Sequence, residues 1–227
     1  MKTTYWGHAC FTVEVRGKKL LFDPFITPNP LAAGIDIESI EADYILLSHG
    51  HEDHVADAIY LAKKTGAKVI CNWELFVWLG KNGVENAHPM NTGGSFHFDF
   101  GTVKCTVAQH SSSLPDGTYG GNPMGFVIST DTESFYYAGD TALTLDMQLI
   151  SATKPSLQLA LLPIGGNFTM DVNDAIKASD FIQCKRVIGL HFDTFGYIKI
   201  DREKAIQSFN ENNKELILLN IGESITI

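Results

Sequence analysis

The sequence predicts an α+β fold, an αββα four-layer sandwich with two β-sheets packed face to face and helices outside both. Two observations carry that expectation. First, the order of elements repeats: a β-rich segment (1–23) leads into a βα segment (44–81), then a second β-rich segment (95–139) leads into a second βα segment (142–221). Helices alternating with strands pack over a sheet, so two such units make two covered sheets. Second, no change in composition and no low-complexity stretch divides the 227 residues, so 1–227 is expected to fold as one domain.

Taken in order, Phe11-Thr12-Val13-Glu14-Val15 alternates with period two, as a half-buried strand does. Lys19 to Asp23 follows a turn at Gly17, which makes a hairpin. Pro24, Pro28 and Pro30 mark a loop to about residue 34. Tyr44 to Ser48 is a buried strand, followed by a helix over about 55–64 with Val55, Ala58, Ile59 and Ala62 on its apolar face. Lys68 to Cys71 is another buried strand, and Trp73 to Lys81 a short helix. Phe96, Phe98 and Phe100 alternate on one strand, and Val103, Cys105 and Val107 on the next, with Gly101 between them. That second strand is expected over 102–109, ending at His110. Phe126-Val127-Ile128 and Phe135 to Ala138 form a further pair. Leu157 to Leu162 is apolar except for Gln158, as in a strand covered on both faces. Thr169 is placed to cap a helix over about 171–183, Val187 to Leu190 is a strand, and Asp201 caps a helix to about 212. Leu216 to Ile221 and Ser224 to Ile227 are expected to finish the sheet.

Composition narrows the function. With 26 acidic against 17 basic residues the net charge is -9, which disfavours nucleic acid and anionic membranes as partners. Basic pairs such as Lys18-Lys19 and Lys63-Lys64 read as solvated faces. No run approaches the ~20 apolar residues of a membrane span, and the N-terminus shows no apolar signal region. A soluble, cytoplasmic protein is expected. Cys10, Cys71, Cys105 and Cys184 form no C-x-x-C pair and sit in apolar runs, so they read as reduced core thiols.

His49-Gly50-His51-Glu52-Asp53-His54 packs three imidazoles and two carboxylates into six residues behind a buried strand. Burying even a neutral polar group unpaired costs roughly 2–7 kcal/mol. A bound cation removes that cost, because imidazole and carboxylate are its natural ligands. The chain is long enough to build a core without metal, so the ion is functional rather than structural. Other strand ends add His110, Asp140 and His191. Seven donors exceed the four that a tetrahedral zinc takes, but they suit two ions. His49, His51 and His110 would hold one, Asp53, His54 and His191 the other, and Asp140 would bridge. A shared water would become the nucleophile, since metal-bound water reaches a pKa of about 7. Two divalent ions against Asp53, Asp140 and one hydroxide leave about one positive charge, which favours an anionic group in the substrate. Zinc comes first for this set, with manganese or iron also accepted by nitrogen and oxygen donors. Glu52 falls outside the ligand set, as a helix-entry residue.

Asp53, Asp140 and His8 are the candidates for the chemistry itself. His8 reads either as a general acid or oxyanion ligand, or as a histidine bonded to a nearby loop. Gly165-Gly166 reads either as an oxyanion site or as a tight turn needing positive φ. Ser111 to Ser113 reads as a loop whose hydroxyls could meet a phosphate or carboxylate. His88 and His97 have no partners in the pattern, and Phe96, Phe98 and Phe100 read as core. The loop 24–34 and the Gly-rich segment from Gly117 to Gly125 are placed to border the site.

His49-x-His51-x-Asp53-His54, with His110, Asp140 and His191 following, resembles the metallo-β-lactamase superfamily over nearly the whole chain. That resemblance implies the same αββα fold (the metallo-hydrolase/oxidoreductase fold) and one or two metal ions. Trp6 to Phe11, Pro163 to Met170 and His191 to Thr194 resemble a compact branch of metal-dependent hydrolases. This branch is related to ascorbate-6-phosphate lactonase and to the N-acyl phosphatidylethanolamine phospholipase D group. No Cys stands at a metal position, and His51 occupies the place of the glutamate of flavodiiron oxygen reductases. The helical C-terminal region of glyoxalase II and the basic arm of ribonuclease Z are missing. The implied activity is dinuclear metal-dependent hydrolysis of an ester, lactone, amide or phosphodiester in a small-molecule substrate, with copies of the chain able to complete the pocket as a homo-oligomer. The competing reading is an iron-containing redox protein, or a non-catalytic metal-binding protein, on the same scaffold.

Overall fold

Two seven-stranded sheets hold the strands of the computed structural model, which describes residues 1–152 and 156–227. The first half supplies β1 (Lys2–Gly7), β2 (Cys10–Val15), β3 (Lys18–Phe22), β4 (Tyr44–Leu46), β5 (Lys68–Asn72) and β6 (Ala87–Met90). The second supplies β7 (Ser95–Phe98), β8 (Gly101–Val107), β9 (Met124–Ser129), β10 (Ser134–Tyr137), β11 (Leu159–Pro163), β12 (Arg186–Leu190) and β13 (Glu215–Ile217). The last strand, β14 (Ser224–Thr226), crosses back to pair with β1, so the sheet orders are β14-β1-β2-β3-β4-β5-β6 and β13-β12-β11-β10-β9-β8-β7. The helices are α1 (Glu52–Val55), α2 (Ala58–Thr65), α3 (Trp73–Lys81), α4 (Gln148–Ala152), α5 (Val172–Phe181) and α6 (Arg202–Glu211).

Three apolar layers glue the four structural layers. Phe11, Phe22, Phe126, Phe135 and Tyr137 meet between the sheets. Ile45, Leu47, Leu61, Val69 and Leu75 fill the space between the first sheet and α1–α3. Tyr136, Leu162, Ile176, Val187 and Phe209 do the same between the second sheet and its helices. β11 is apolar and buried along its length because both faces are covered. β2 and β3 form the expected hairpin, with Arg16 and Gly17 both at positive φ in its turn.

Several expected boundaries move, each for a local reason. The helix expected at 55–64 is two helices, α1 and α2. Asp57 stands at the break, where its carboxylate accepts the backbone N–H groups of Ile26 (2.7 Å) and Thr27 (2.9 Å). Asp171, not Thr169, caps α5, with its side chain accepting the N–H of Asp174. The expected 102–109 strand stops at Val107, because Gln109 turns to accept a bond from Ala142 and to donate to Thr141. His110 is therefore set by that loop rather than by a strand end. The C-terminal runs do not finish one sheet: residues 218–223 carry the chain across the sandwich, through a turn at Gly222 with φ 85°. β6 has no expectation behind it; its Pro89 breaks a strand pattern, yet proline is tolerated there because β6 is an edge strand.

Phe98 and Phe100 are core, whereas Phe96 is half exposed at the sheet edge and packs against His88. All four cysteines are free and buried. Among the described residues no helix is long and apolar enough to cross a membrane.

Candidate metal centre

Strand ends from both sheets deliver the candidate residues to one place. β3 runs into Asp23, β4 into His49 and His51, β10 into Asp140, and β12 into His191. Asp53 and His54 lie in the first turn of α1, and His8 lies in the turn between β1 and β2. The sheets are stitched where the N–H of Met124 donates to the carbonyl of Ser48. Side chains fixed this way sit on a rigid platform. The backbone is also strained here: His8, Asp23 and His191 have φ of 57°, 40° and 55°. Such non-glycine conformations cost about 1–3 kcal/mol each and persist only where the surroundings enforce them.

Two groups of donor atoms, each within 4.8 Å of one another, flank the centre: His49, His51 and His110, and His8, Asp53, His54 and His191; a third group, Asp23, His49 and His54, links them. Asp140 lies between them. Its Oδ2 is 3.0 Å from His191 Nε2, 3.3 Å from His54 Nε2 and 3.6 Å from His110 Nε2. His54 Nε2, Asp140 Oδ1 and His191 Nδ1 are buried without a hydrogen-bond partner. Buried polar atoms are nearly always paired. Unpartnered atoms on a buried carboxylate and on two histidines packed around it fit a cation site. All donors are nitrogen or oxygen, since the cysteines lie elsewhere in the core.

Beneath both groups lies Asp23, fully buried. Its carboxylate accepts the Tyr137 hydroxyl (2.5 Å), the Ser48 hydroxyl and backbone N–H, and His54 Nδ1–H (2.8 Å). Since Ser48 Oγ donates to Asp23, it accepts from His49 Nδ1–H at 2.9 Å. One aspartate thus holds a hydrogen on Nδ1 of a histidine in each group and turns both Nε2 atoms toward the centre. This is the usual support of a metal-binding imidazole.

Electrostatics follow from crowding. Burial drives the protonation ranges of His49, His51 and His110 down, so they are poised neutral. Burial also lowers His54, but Asp140, Asp53 and Asp23 outweigh it and hold its protonation well above the ordinary range. Burial would raise Asp140 and Asp53, yet His191 and His54 around the first, and His54 and His8 around the second, keep both carboxyls below theirs. A proton on His54 therefore stands where a cation would otherwise balance three aspartates.

The remaining candidates separate cleanly. His8 is buried and has both ring nitrogens bonded, Nε2 to Asp53 Oδ2 and Nδ1 to Thr194 Oγ1, each at 3.0 Å. Gly166 is the turn: its φ is 68° and its N–H donates to Met170, so that group is not free for an oxyanion. Gly165 permits close approach, because a Cβ there would lie 2.2 Å from the His191 carbonyl oxygen. Ser112 Oγ accepts the Gly50 N–H, while Ser111 Oγ faces His51 Nε2 at 3.3 Å. The Gly-rich segment reaches the site, with the Gly120 Cα only 3.3 Å from where a Gly50 Cβ would stand. From the Pro-rich loop, Phe25 packs its ring on His8. Glu52 is exposed, and His88 and His97 lie on β6 and β7, away from the centre. Asp23, Asp57 and Thr194 are the functional supports that sequence reasoning missed. The signal for Asp23 was its place after an apolar strand, as with the other site residues.

A family profile described as Beta-lactamase superfamily domain matches residues 18–192. A UPF0173 metal-dependent hydrolase of Flavobacterium johnsoniae is 57% identical over 227 residues, covering all of both chains. A protein of the same name from Methylacidiphilum infernorum is 48% identical over 227 residues, again covering all of both chains. Among solved structures, Igni18, a metallo hydrolase of the archaeon Ignicoccus hospitalis, is 34% identical with a TM-score of 0.89, covering 100% of this chain and 97% of that one. An isothiocyanate hydrolase from Delia radicum gut bacteria shares the fold, with a TM-score of 0.80 at 20% identity over 100% of this chain and 99% of that one. With a superfamily profile over residues 18–192 and metal-dependent hydrolases 48–57% identical along its whole length, the chain belongs to the metal-dependent hydrolases of the metallo-β-lactamase superfamily.

Proposed function

We propose that the chain is a dinuclear metal-dependent hydrolase of a small substrate carrying an anionic group, with an ester, lactone, amide or phosphodiester as the scissile bond. The observation that carries this reading is Asp140 Oδ2, which stands within 3.0–3.6 Å of histidine nitrogens from both donor groups. His49, His51 and His110 would hold one ion and Asp53, His54 and His191 the other, with Asp140 shared between them and zinc the first choice for both. Such a pair would supply Lewis acidity and an activated water at neutral pH.

The chain's own groups do the rest. Asp23 and Ser48 lock His54 and His49 in the tautomer that presents Nε2. Asp53 and Asp140 stay ionised in a buried setting and keep the centre from accumulating excess positive charge. Ser111 Oγ, beside His51 at the exposed side, is placed to donate to the substrate's anionic group. The four buried thiols agree with a cytoplasmic setting.

A panel of esters, lactones, amides and phosphodiesters, tested on metal-reconstituted protein, checks the reading. Hydrolysis of at least one class that falls at least 100-fold in His191→Ala is expected. Turnover unchanged by that substitution contradicts a two-ion mechanism.

A further inference from the structure

His8 has no nitrogen left for a substrate. Asp53 can only accept, so the hydrogen on the 3.0 Å contact belongs to His8 Nε2. A neutral imidazole then has a bare Nδ1, which accepts the Thr194 hydroxyl at 3.0 Å, a shorter contact than the one that hydroxyl makes to the Phe192 carbonyl at 3.4 Å. The backbone joins the same unit: the His191 N–H donates to the His8 carbonyl at 2.9 Å, and the Tyr5 hydroxyl reaches that carbonyl at 3.2 Å. Phe25 and Phe195 pack edge-on against the ring at 5.5 and 5.3 Å, so it cannot swing toward a ligand. Asp53 needs such a hold. It is the least buried member of its group, with a quarter of its side chain exposed, and it sits in a four-residue helix.

We propose that His8 is a positioning residue, which with Thr194 tethers the Asp53 carboxylate and so sets the affinity of the ion held by Asp53, His54 and His191. The proposal rests on the two-ion reading above. In it, the β1–β2 turn, the loop after β12 and α1 act as one clamp: His8 holds Asp53 by its ring and His191 by its backbone. The ion at His49, His51 and His110 does not depend on it.

Cobalt(II) titration followed by visible absorption, with chelator competition for each equivalent, tests this on the full chain. His8→Ala is expected to weaken the second equivalent by about 10–100-fold, the usual effect of losing a partner to a metal ligand, and to leave the first unchanged. His8→Gln, whose amide nitrogen can still donate to Asp53, is expected to restore most of that loss. Thr194→Val is expected to weaken the same equivalent less than His8→Ala, and Thr194→Ser to match the wild type. Wild-type affinity in His8→Ala would overturn the tether. So would a His8→Gln variant as weak as His8→Ala, which would make the imidazole itself a ligand. A wild-type chain that saturates at one equivalent would overturn the two-ion reading instead, and the contrast between His8→Ala and His8→Gln would still decide the tether on that ion.

Discussion

Asp23 concentrates more of the site's order than any of the candidate ligands it supports. Four donors converge on one buried carboxylate. An asparagine there has one acceptor oxygen, so its NH2 group would face the Tyr137 or Ser48 hydroxyl or the His54 N–H. Asp23→Asn is expected to weaken both metal equivalents by about 10–100-fold, with chelator competition as the measurement; loss confined to one equivalent would contradict its shared role. Asp23 was not legible as a site residue, because its partners lie 25, 31 and 114 residues away and only the tertiary fold joins them. The cluster at 49–54 was legible, since its density has no structural explanation without a cation. His8 was legible as a candidate but not in its role, because Thr194 is 186 residues distant.

At the level of elements, the loops after β11 and β12 interlock with no room to spare. Adding a Cβ at Gly165 brings it within 2.2 Å of the His191 carbonyl oxygen and 2.9 Å of Ile198 Cβ. The first neighbour is backbone and cannot yield. Gly165→Ala is therefore expected to displace His191 and lower the metal-to-protein ratio, read by elemental analysis alongside Tm. A stable variant with full metal content would contradict this. Asp57 does the corresponding task on the other sheet, by splitting a helix to hold the loop after β3. Asp57→Ala leaves two loop N–H groups without their acceptor, and is expected to cost about 1–3 kcal/mol in denaturant unfolding. An unchanged midpoint and slope would contradict that. Hydrophobic period alone places a continuous helix there, because it registers the apolar face and not the polar bond that interrupts it. The buried strands β4, β5, β11 and β12 were readable for the opposite reason, as unbroken apolar runs. β6 and the C-terminal crossover were not, since an edge proline and a change of sheet leave no periodic trace.

Across the whole molecule, the layer order follows from the repeated β-rich and βα segments, and the site is where the two repeats meet. The buried charges there couple metal to protons. His54 is raised by its three aspartates, so at pH 7 the metal-free chain carries a proton on it. His49 is lowered by burial and has none to give. A group with a raised value keeps its proton until pH climbs through that value, so a metal must displace it and affinity falls as pH falls. Calorimetric metal titration at pH 7 in buffers of different ionisation heat is expected to show release of at least one proton per chain, and none would contradict the assignment of His54.

In the two-ion reading, Asp140 joins both ions into one centre. Elemental analysis of metal-reconstituted wild type and Asp140→Ala decides it. Wild type is expected to hold about two ions per chain, and the variant one or fewer. A single ion in the wild type, or full loading retained in Asp140→Ala, would contradict it.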